Sequence, residues 1–248
     1  GRKKSMTRST RSAVCARKAF VTRAAYSARL WFSWIHLIAV VVYVAALFAE
    51  GGSMQMIASS AGEWARRWRC LNMAEVYLAT LAPAFAAGLL APEQGAGAME
   101  LAATYRGGLT RLFEGRLSIV ATALAIPAAV TVAWAIRASR GALGVAELVR
   151  SIVPTMWFLT GVTSLGTVIG GALAGFTAGF GWWALDRLSG GAVTGPLFLF
   201  AATFGLRRAP EWLTLHRQKL LLLALGTVML LVCRQIAGTQ AAWDHKHE

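Results

Sequence analysis

The chain has 248 residues and a formal net charge of +14, yet 56% of its residues are hydrophobic and only 15% are charged. Soluble domains have about 45–50% apolar and about 25% charged residues, so this composition excludes an ordinary soluble domain. Several runs approach the roughly 20 apolar residues that a membrane-spanning helix needs. We therefore expect an all-α, multi-pass protein of the cell membrane with one membrane domain.

The positive charge is concentrated at the N-terminus and does not by itself indicate nucleic-acid binding. Nine of the 25 basic residues lie in the first 29 positions: Arg2, Lys3, Lys4, Arg8, Arg11, Arg17, Lys18, Arg23 and Arg29. A basic block before a span is typical of a cytoplasmic N-terminus in contact with anionic membrane lipid. We interpret residues 1–29 as a basic segment with an interfacial amphipathic helix; the alternative is a disordered tail.

The apolar runs predict six spans within residues 30–236, with both termini in the cytoplasm. Four spans are expected at 30–48, 73–90, 117–136 and about 218–233, with an earlier start near Trp212 as the alternative for the last. The stretch 151–185 has no charged residue. A straight helix of that length would measure about 52 Å, well over the ~30 Å hydrocarbon core. Two spans joined by a turn near residues 170–175 fit better.

Glycines in this stretch are spaced four apart, which allows helix backbones to approach closely. The predicted packing glycines are Gly166, Gly170, Gly171, Gly175 and Gly179. Cys15, Cys70 and Cys233 fall far apart on the predicted topology, so no disulfide is expected.

Two segments between the spans are predicted to lie at the outer face. Residues 53–72 contain Trp64, Trp68 and three arginines, which favours a short surface helix. Residues 192–204 are apolar, contain Pro196 and are too short to span, which favours a re-entrant segment. The polar residues 237–248 are expected to form a cytoplasmic tail.

Charged groups are missing from the predicted span centres, and this bears on the energy source. A proton- or sodium-driven pump needs ionisable groups at mid-membrane, so any transport here would be driven from outside the chain. The sequence shows no nucleotide-binding loop, zinc pattern or paired nucleophile, and we predict no catalytic, cofactor or metal site. Two interfacial pairs, Glu211/His216 and Asp186/Arg187, have spacings that assign them no role.

The segment 91–117 combines charge, glycine and proline between two long apolar runs. Its charged residues are Glu93, Glu100, Arg106, Arg111, Glu114 and Arg116. We predict a short helix, a turn and a second short helix at the inner membrane face, where another protein can push on them.

These residues resemble a loop of the type-2 permease family of ATP-binding cassette (ABC) exporters. In that family the loop begins with Glu, continues through Gly and a Glu-Leu pair, and has a basic residue before the third span. The matching residues are Glu93, Gly97, Glu100, Leu101, Arg111, Gly115 and Arg116. Residues 212–222 are similar to the family's entry to the sixth span, and the layout resembles the family over the whole chain.

The resemblance implies a permease dimer, with an identical or sister subunit, bound to two ABC ATPase subunits that hold ATP and Mg. A coupling helix at about 92–104 would dock on the ATPase, and the implied contacts are Glu93, Glu100, Tyr105, Arg106 and Arg111. The alternative for each is pairing with headgroups or within the loop. The implied function is export of an amphipathic substrate such as a peptide, an antibiotic or a lipid-like molecule. Two other functions stay open: a non-transporting membrane scaffold or immunity protein, and an interfacial lipid-modifying enzyme.

Overall fold

A computed structural model describes residues 34–57, 62–89, 108–205 and 212–244. The regular structure in these ranges is entirely helical, which confirms the all-α prediction for this part of the chain. The helices are α1 (Trp34–Ile57), α2 (Glu63–Asn72), α3 (Leu81–Ala86), α4 (Gly108–Ala138), α5 (Val145–Ser189), α6 (Ala201–Gly205) and α7 (Trp212–Asp244).

Helices α2 and α3 are parts of one continuous rod, residues 63–86, which we call the central rod. A π-helical turn, Met73–Tyr77, and a 3₁₀ turn, Leu78–Thr80, join them without a break. The rod is about 36 Å long, and most of residues 70–84 are buried. The prediction of a separate surface helix ending at residue 72 is therefore wrong. Near residue 72 the sequence changes from polar to apolar, so the rod passes from a more exposed to a buried environment. No residue there interrupts the helix.

Helix α5 folds back on itself at Gly171, where the backbone leaves the helical region (φ 84°, ψ −178°). The rings of Phe158 and Trp182 lie 5.3 Å apart, whereas a straight helix would separate them by about 36 Å. The helix is thus an antiparallel hairpin with a first arm, residues 145–170, and a second arm, residues 172–189. The reversal falls within the interval 170–175 that the sequence predicts.

The central rod defines two ends of the bundle, which we call the Asn72 end and the Leu89 end. At the Leu89 end, Arg116 of α4 donates to the carbonyl of Leu89 over 2.8 Å. Phe113 of α4 packs there with Val168, near the turn of α5, and with Leu230 of α7. At the Asn72 end, the central rod meets the start of α5 through an ion pair of Arg67 with Glu147.

Helix α1 runs from the Leu89 end towards the Asn72 end, antiparallel to the central rod. Its first turn places the ring of His36 5.0 Å from that of Phe85, near the end of the central rod. Further along, the hydroxyl of Tyr43 donates to the carbonyl of Pro127 at 3.3 Å and contacts Thr131. The described residues therefore form six helical rods that alternate in direction: α1, the central rod, α4, the two arms of α5, and α7.

In the described part of the chain, three helices are long and apolar enough to cross a membrane: Leu109–Ser139, Val145–Ser189 and Leu215–Ala237. A shorter apolar helix covers His36–Ala49. The length and apolar composition of these helices are consistent with a membrane protein.

Several helix boundaries differ from the predicted ones. Helix α1 continues to Ile57, beyond the predicted end of the first span at residue 48. Gly51 and Gly52 do not stop it, because a glycine costs only about 1 kcal/mol inside a helix. Helix α7 begins at Trp212 and reaches Asp244, so it extends into the predicted tail. The thiols of Cys70 and Cys233 are buried and are not joined in a disulfide. Cys15 and the predicted interfacial helix lie outside the described residues.

Candidate functional site: a buried charge cluster around a broken segment

The predicted ATPase contact falls largely in a part of the chain that the structure does not describe. Glu93, Glu100, Tyr105 and Arg106 all lie outside the described residues. Arg111 is described, and it is exposed in the first turns of α4.

The flanks of this segment are tied to the bundle at the Leu89 end. Arg116 is buried and bonds the Leu89 carbonyl, so it joins the start of α4 to the residue where the central rod stops. Glu114 accepts a hydrogen bond from Nε of Arg234 at 2.7 Å, which connects α4 to α7. The described residues on either side of segment 90–107 thus lie at the same end of the bundle.

The predicted packing glycines lie at the α5 hairpin: Gly166, Gly170, Gly171, Gly175 and Gly179. A Cβ atom on Gly175 would lie 1.9 Å from Oγ1 of Thr167 on the other arm. A Cβ atom on Gly166 would lie 2.9 Å from Cα of Gly175. The arms therefore approach at a distance that excludes side chains at these positions.

Sequence reasoning missed a cluster of three buried ionisable side chains at the Asn72 end, which we call the Glu75 cluster. Glu75 of the central rod and Asp186 of the second arm are 0% exposed, and Lys219 of α7 is 5% exposed. All three contact residues 190–205, which we call the broken segment. This segment contains a 3₁₀ turn, Gly195–Leu197, an extended residue at Phe198 and the short helix α6.

Lys219 is the hub of the cluster. Its ammonium group forms an ion pair with Oε1 of Glu75. It also donates to the carbonyl of Leu199 at 2.7 Å and to Oγ1 of Thr155 at 2.8 Å. A third donation, at 3.3 Å, reaches the carbonyl of Ser151. One side chain of α7 therefore contacts the central rod, the first arm and the broken segment.

Glu75 binds the start of α6. Its Oε2 atom accepts hydrogen bonds from the backbone N–H and from the hydroxyl of Thr203, both at 2.8 Å. Its Oε1 atom accepts from the N–H of Ala202 at 3.4 Å. Glu75 stands in the π-helical turn, a rare element that is frequent at functional sites.

Asp186 holds the preceding part of the broken segment. Its Oδ2 atom accepts from the N–H of Leu199 at 2.8 Å, and its Oδ1 atom accepts from the hydroxyl of Thr194. Because Leu199 also gives its carbonyl to Lys219, both backbone groups of this residue are satisfied by charged side chains. Asp186, to which its spacing in the sequence assigned no role, therefore binds the backbone of the broken segment.

Aromatic side chains cover the cluster. Phe198 and Phe200 of the broken segment pack edge to face with centroids 5.9 Å apart. Trp183 of the second arm packs 6.4 Å from Phe200 and donates its indole N–H to the carbonyl of Val76 at 2.8 Å. Arg187 lies over the ring of Phe204.

The arrangement is suited to holding an irregular backbone away from water. Non-helical backbone at membrane depth is tolerated where protein groups satisfy it, since unpaired N–H and C=O groups are costly in an apolar medium. For the broken segment, the Glu75 cluster supplies acceptors to three backbone N–H groups and a donor to one carbonyl. Each carboxylate oxygen already has a partner, so the geometry assigns the cluster a positioning role.

One signal in the sequence could have indicated the cluster. The apolar segment 192–204 is too short to span and contains a proline, so its backbone needs partners from neighbouring side chains. The charges at the ends of the adjoining apolar runs are the available partners, and they include Glu75, Asp186 and Lys219.

Comparison with protein-family models, with curated proteins and with solved structures found no match for this chain.

Proposed function

We propose that the chain is the membrane-spanning permease subunit of an ABC exporter that moves an amphipathic substrate. ATP would be hydrolysed by a separate ATPase subunit. The observation that carries the proposal is the anchoring of connection 90–107. On the preceding flank, the carbonyl of Leu89 accepts a hydrogen bond from Arg116 of α4. On the following flank, Glu114 of α4 is paired with Arg234 of α7.

Anchored flanks allow a short segment to transmit force. A displacement of residues 92–104 by a partner reaches the central rod through Leu89 and reaches α4 through Arg116. It reaches α7 through Arg234. Closure of the ATPases on nucleotide would shift these helices together and change the path between two permease copies.

The alternating rods support a six-span topology in this proposal. Each arm of α5 serves as one span, and the central rod and α1 serve as two more. The broken segment is then re-entrant, because it leaves the second arm and returns to α7 at the Asn72 end. In this topology the Leu89 end and both chain termini are cytoplasmic, and the Asn72 end faces outside.

A charge reversal in the proposed contact tests the assignment. Glu100→Arg is expected to abolish co-purification of an ABC ATPase from cells that express the tagged chain. Glu63→Arg is the matched control, because Glu63 is exposed at the opposite end of the bundle and undergoes the same charge change. ATPase retention by both variants would exclude residues 92–104 as the contact.

Cross-linking distinguishes a transporter from a non-transporting scaffold. A cysteine at position 94 is expected to cross-link to the ATPase with an efficiency that changes when nucleotide is added. If the wild-type chain recovers no ATPase, the exporter proposal is wrong. If the cross-link forms equally with and without nucleotide, a non-transporting scaffold replaces it.

A further inference from the structure

Four arginines at the Asn72 end are exposed and belong to different parts of the bundle. Arg137 lies in the last turn of α4, Arg140 follows it in the turn, Arg150 lies near the start of α5, and Arg217 lies near the start of α7. We call these four residues the arginine rim. Among the described residues, no ion pair involves any member of the rim.

A bilayer crossed by the candidate spans would place the rim at the depth of the lipid headgroups. Arg137, Arg150 and Arg217 fall inside the boundaries of the candidate spans, about 3–8 Å from their ends. Next to Arg150, the side chains of Val149 and Val153 are 43% and 47% exposed. Residues three apart share a helix face, so this guanidinium group lies on the same surface as apolar side chains that face lipid.

The opposite end of the bundle has a different arrangement in the part of the chain that is described. Its basic residues there are Arg111, Arg116 and Arg234. Arg116 is buried against a carbonyl, and Arg234 is paired with a carboxylate. Among the described residues, exposed arginines outside ion pairs are thus more numerous at the Asn72 end than at the Leu89 end.

We propose that the arginine rim binds the headgroup phosphates of anionic phospholipids. A guanidinium group presents two parallel N–H donors that match two phosphate oxygens. A charge at the edge of the hydrocarbon region is costly unless it reaches water or an opposite charge, and a headgroup supplies the opposite charge. The proposal goes beyond transport and does not depend on it.

The test compares two double variants in dodecyl maltoside. Arg137→Gln/Arg150→Gln removes two rim charges, and Arg111→Gln/Arg234→Gln removes two charges at the opposite end as the matched control. The melting temperature of each protein is measured against the concentration of dioleoylphosphatidylglycerol, which yields an apparent Kd. Dioleoylphosphatidylcholine is the neutral lipid. The N-terminal basic block is present in all three proteins.

The wild type is expected to be stabilised more by the anionic lipid than by the neutral one. In the rim variant the apparent Kd should rise about 30-fold, because each arginine near an anionic surface contributes roughly a factor of five. The control should keep the wild-type value to within about two- to threefold.

Two results would overturn the proposal. An equal loss of affinity in the rim variant and in the control would show that overall charge governs lipid binding. Displacement of the lipid by inorganic phosphate at millimolar concentration would show that the rim takes a soluble anion. A failure of the exporter proposal would leave both measurements unchanged.

Discussion

Replacing Lys219 with methionine tests the organisation of the Asn72 end. The substitution keeps most of the side-chain volume and removes the ammonium group that contacts Glu75, Leu199 and Thr155. The carboxylate of Glu75 is then left buried without its counter-charge. Removing one partner of a buried ion pair costs about 3–5 kcal/mol.

This cost is measurable as a change in thermal stability. For a chain of this size, 1 kcal/mol shifts the melting temperature by about 2–4 °C, so Lys219→Met should lower it by roughly 6–20 °C. The assay is thermal unfolding in detergent, with the free energy of unfolding measured separately by titration with dodecyl sulfate.

A second variant separates the orphaned charge from the loss of packing. Glu75→Gln combined with Lys219→Met removes the buried charge while leaving an amide oxygen able to accept from Thr203. We expect the double variant to be about 1–3 kcal/mol more stable than the sum of the two single changes predicts.

An exposed ion pair provides the control. Arg234→Met breaks the pair with Glu114, whose side chains are each 48% exposed, and such pairs contribute about 0–1 kcal/mol. The reasoning is refuted if Lys219→Met is no more destabilising than Arg234→Met. It is also refuted if the two changes in the Glu75 cluster are additive.

Two further predictions concern the hairpin and the orientation. Gly175→Val should destabilise the protein by at least about 1–3 kcal/mol, because a Cβ atom there overlaps Thr167. Gly181→Ala, which meets open space, should stabilise the protein by up to about 1 kcal/mol in the same unfolding assay, because glycine inside a helix costs about that much relative to alanine. An equal loss of stability in the two variants would contradict the packing of the arms. In intact cells, a membrane-impermeant maleimide should label Gly144→Cys, at the Asn72 end. It should label Gly115→Cys only after permeabilisation, and the reverse pattern would invert the proposed topology.

The sequence predicted the parts of the fold that depend on apolar length and glycine. The 35 uncharged residues 151–185 exceed the length of one span, so a reversal was required. Gly171 provides it because its φ of 84° is strained for any other residue. The all-helical class followed from the same reasoning.

The buried charges could not be predicted from the local pattern. Glu75, Asp186 and Lys219 each lie near one end of an apolar run. Charged residues at such positions are ordinarily interpreted as exposed to water. Their burial depends on how residues 198–203 fold over them, and that is a tertiary contact. The prediction of a separate surface helix at 53–72 was wrong for a similar reason. The polarity of residues indicates their exposure to water, but it does not show where a helix ends.

The peptide of Leu199 has a mechanical consequence for the whole bundle. Its N–H group is held from the second arm of α5 by Asp186, and its carbonyl is held from α7 by Lys219 and from the first arm by Thr155. A relative displacement of these helices by more than about 1 Å would exceed hydrogen-bond range for at least one of the three. Rearrangement at this end is therefore expected to be all-or-none. The two arms of α5 and helix α7 either move together or all release the Leu199 peptide.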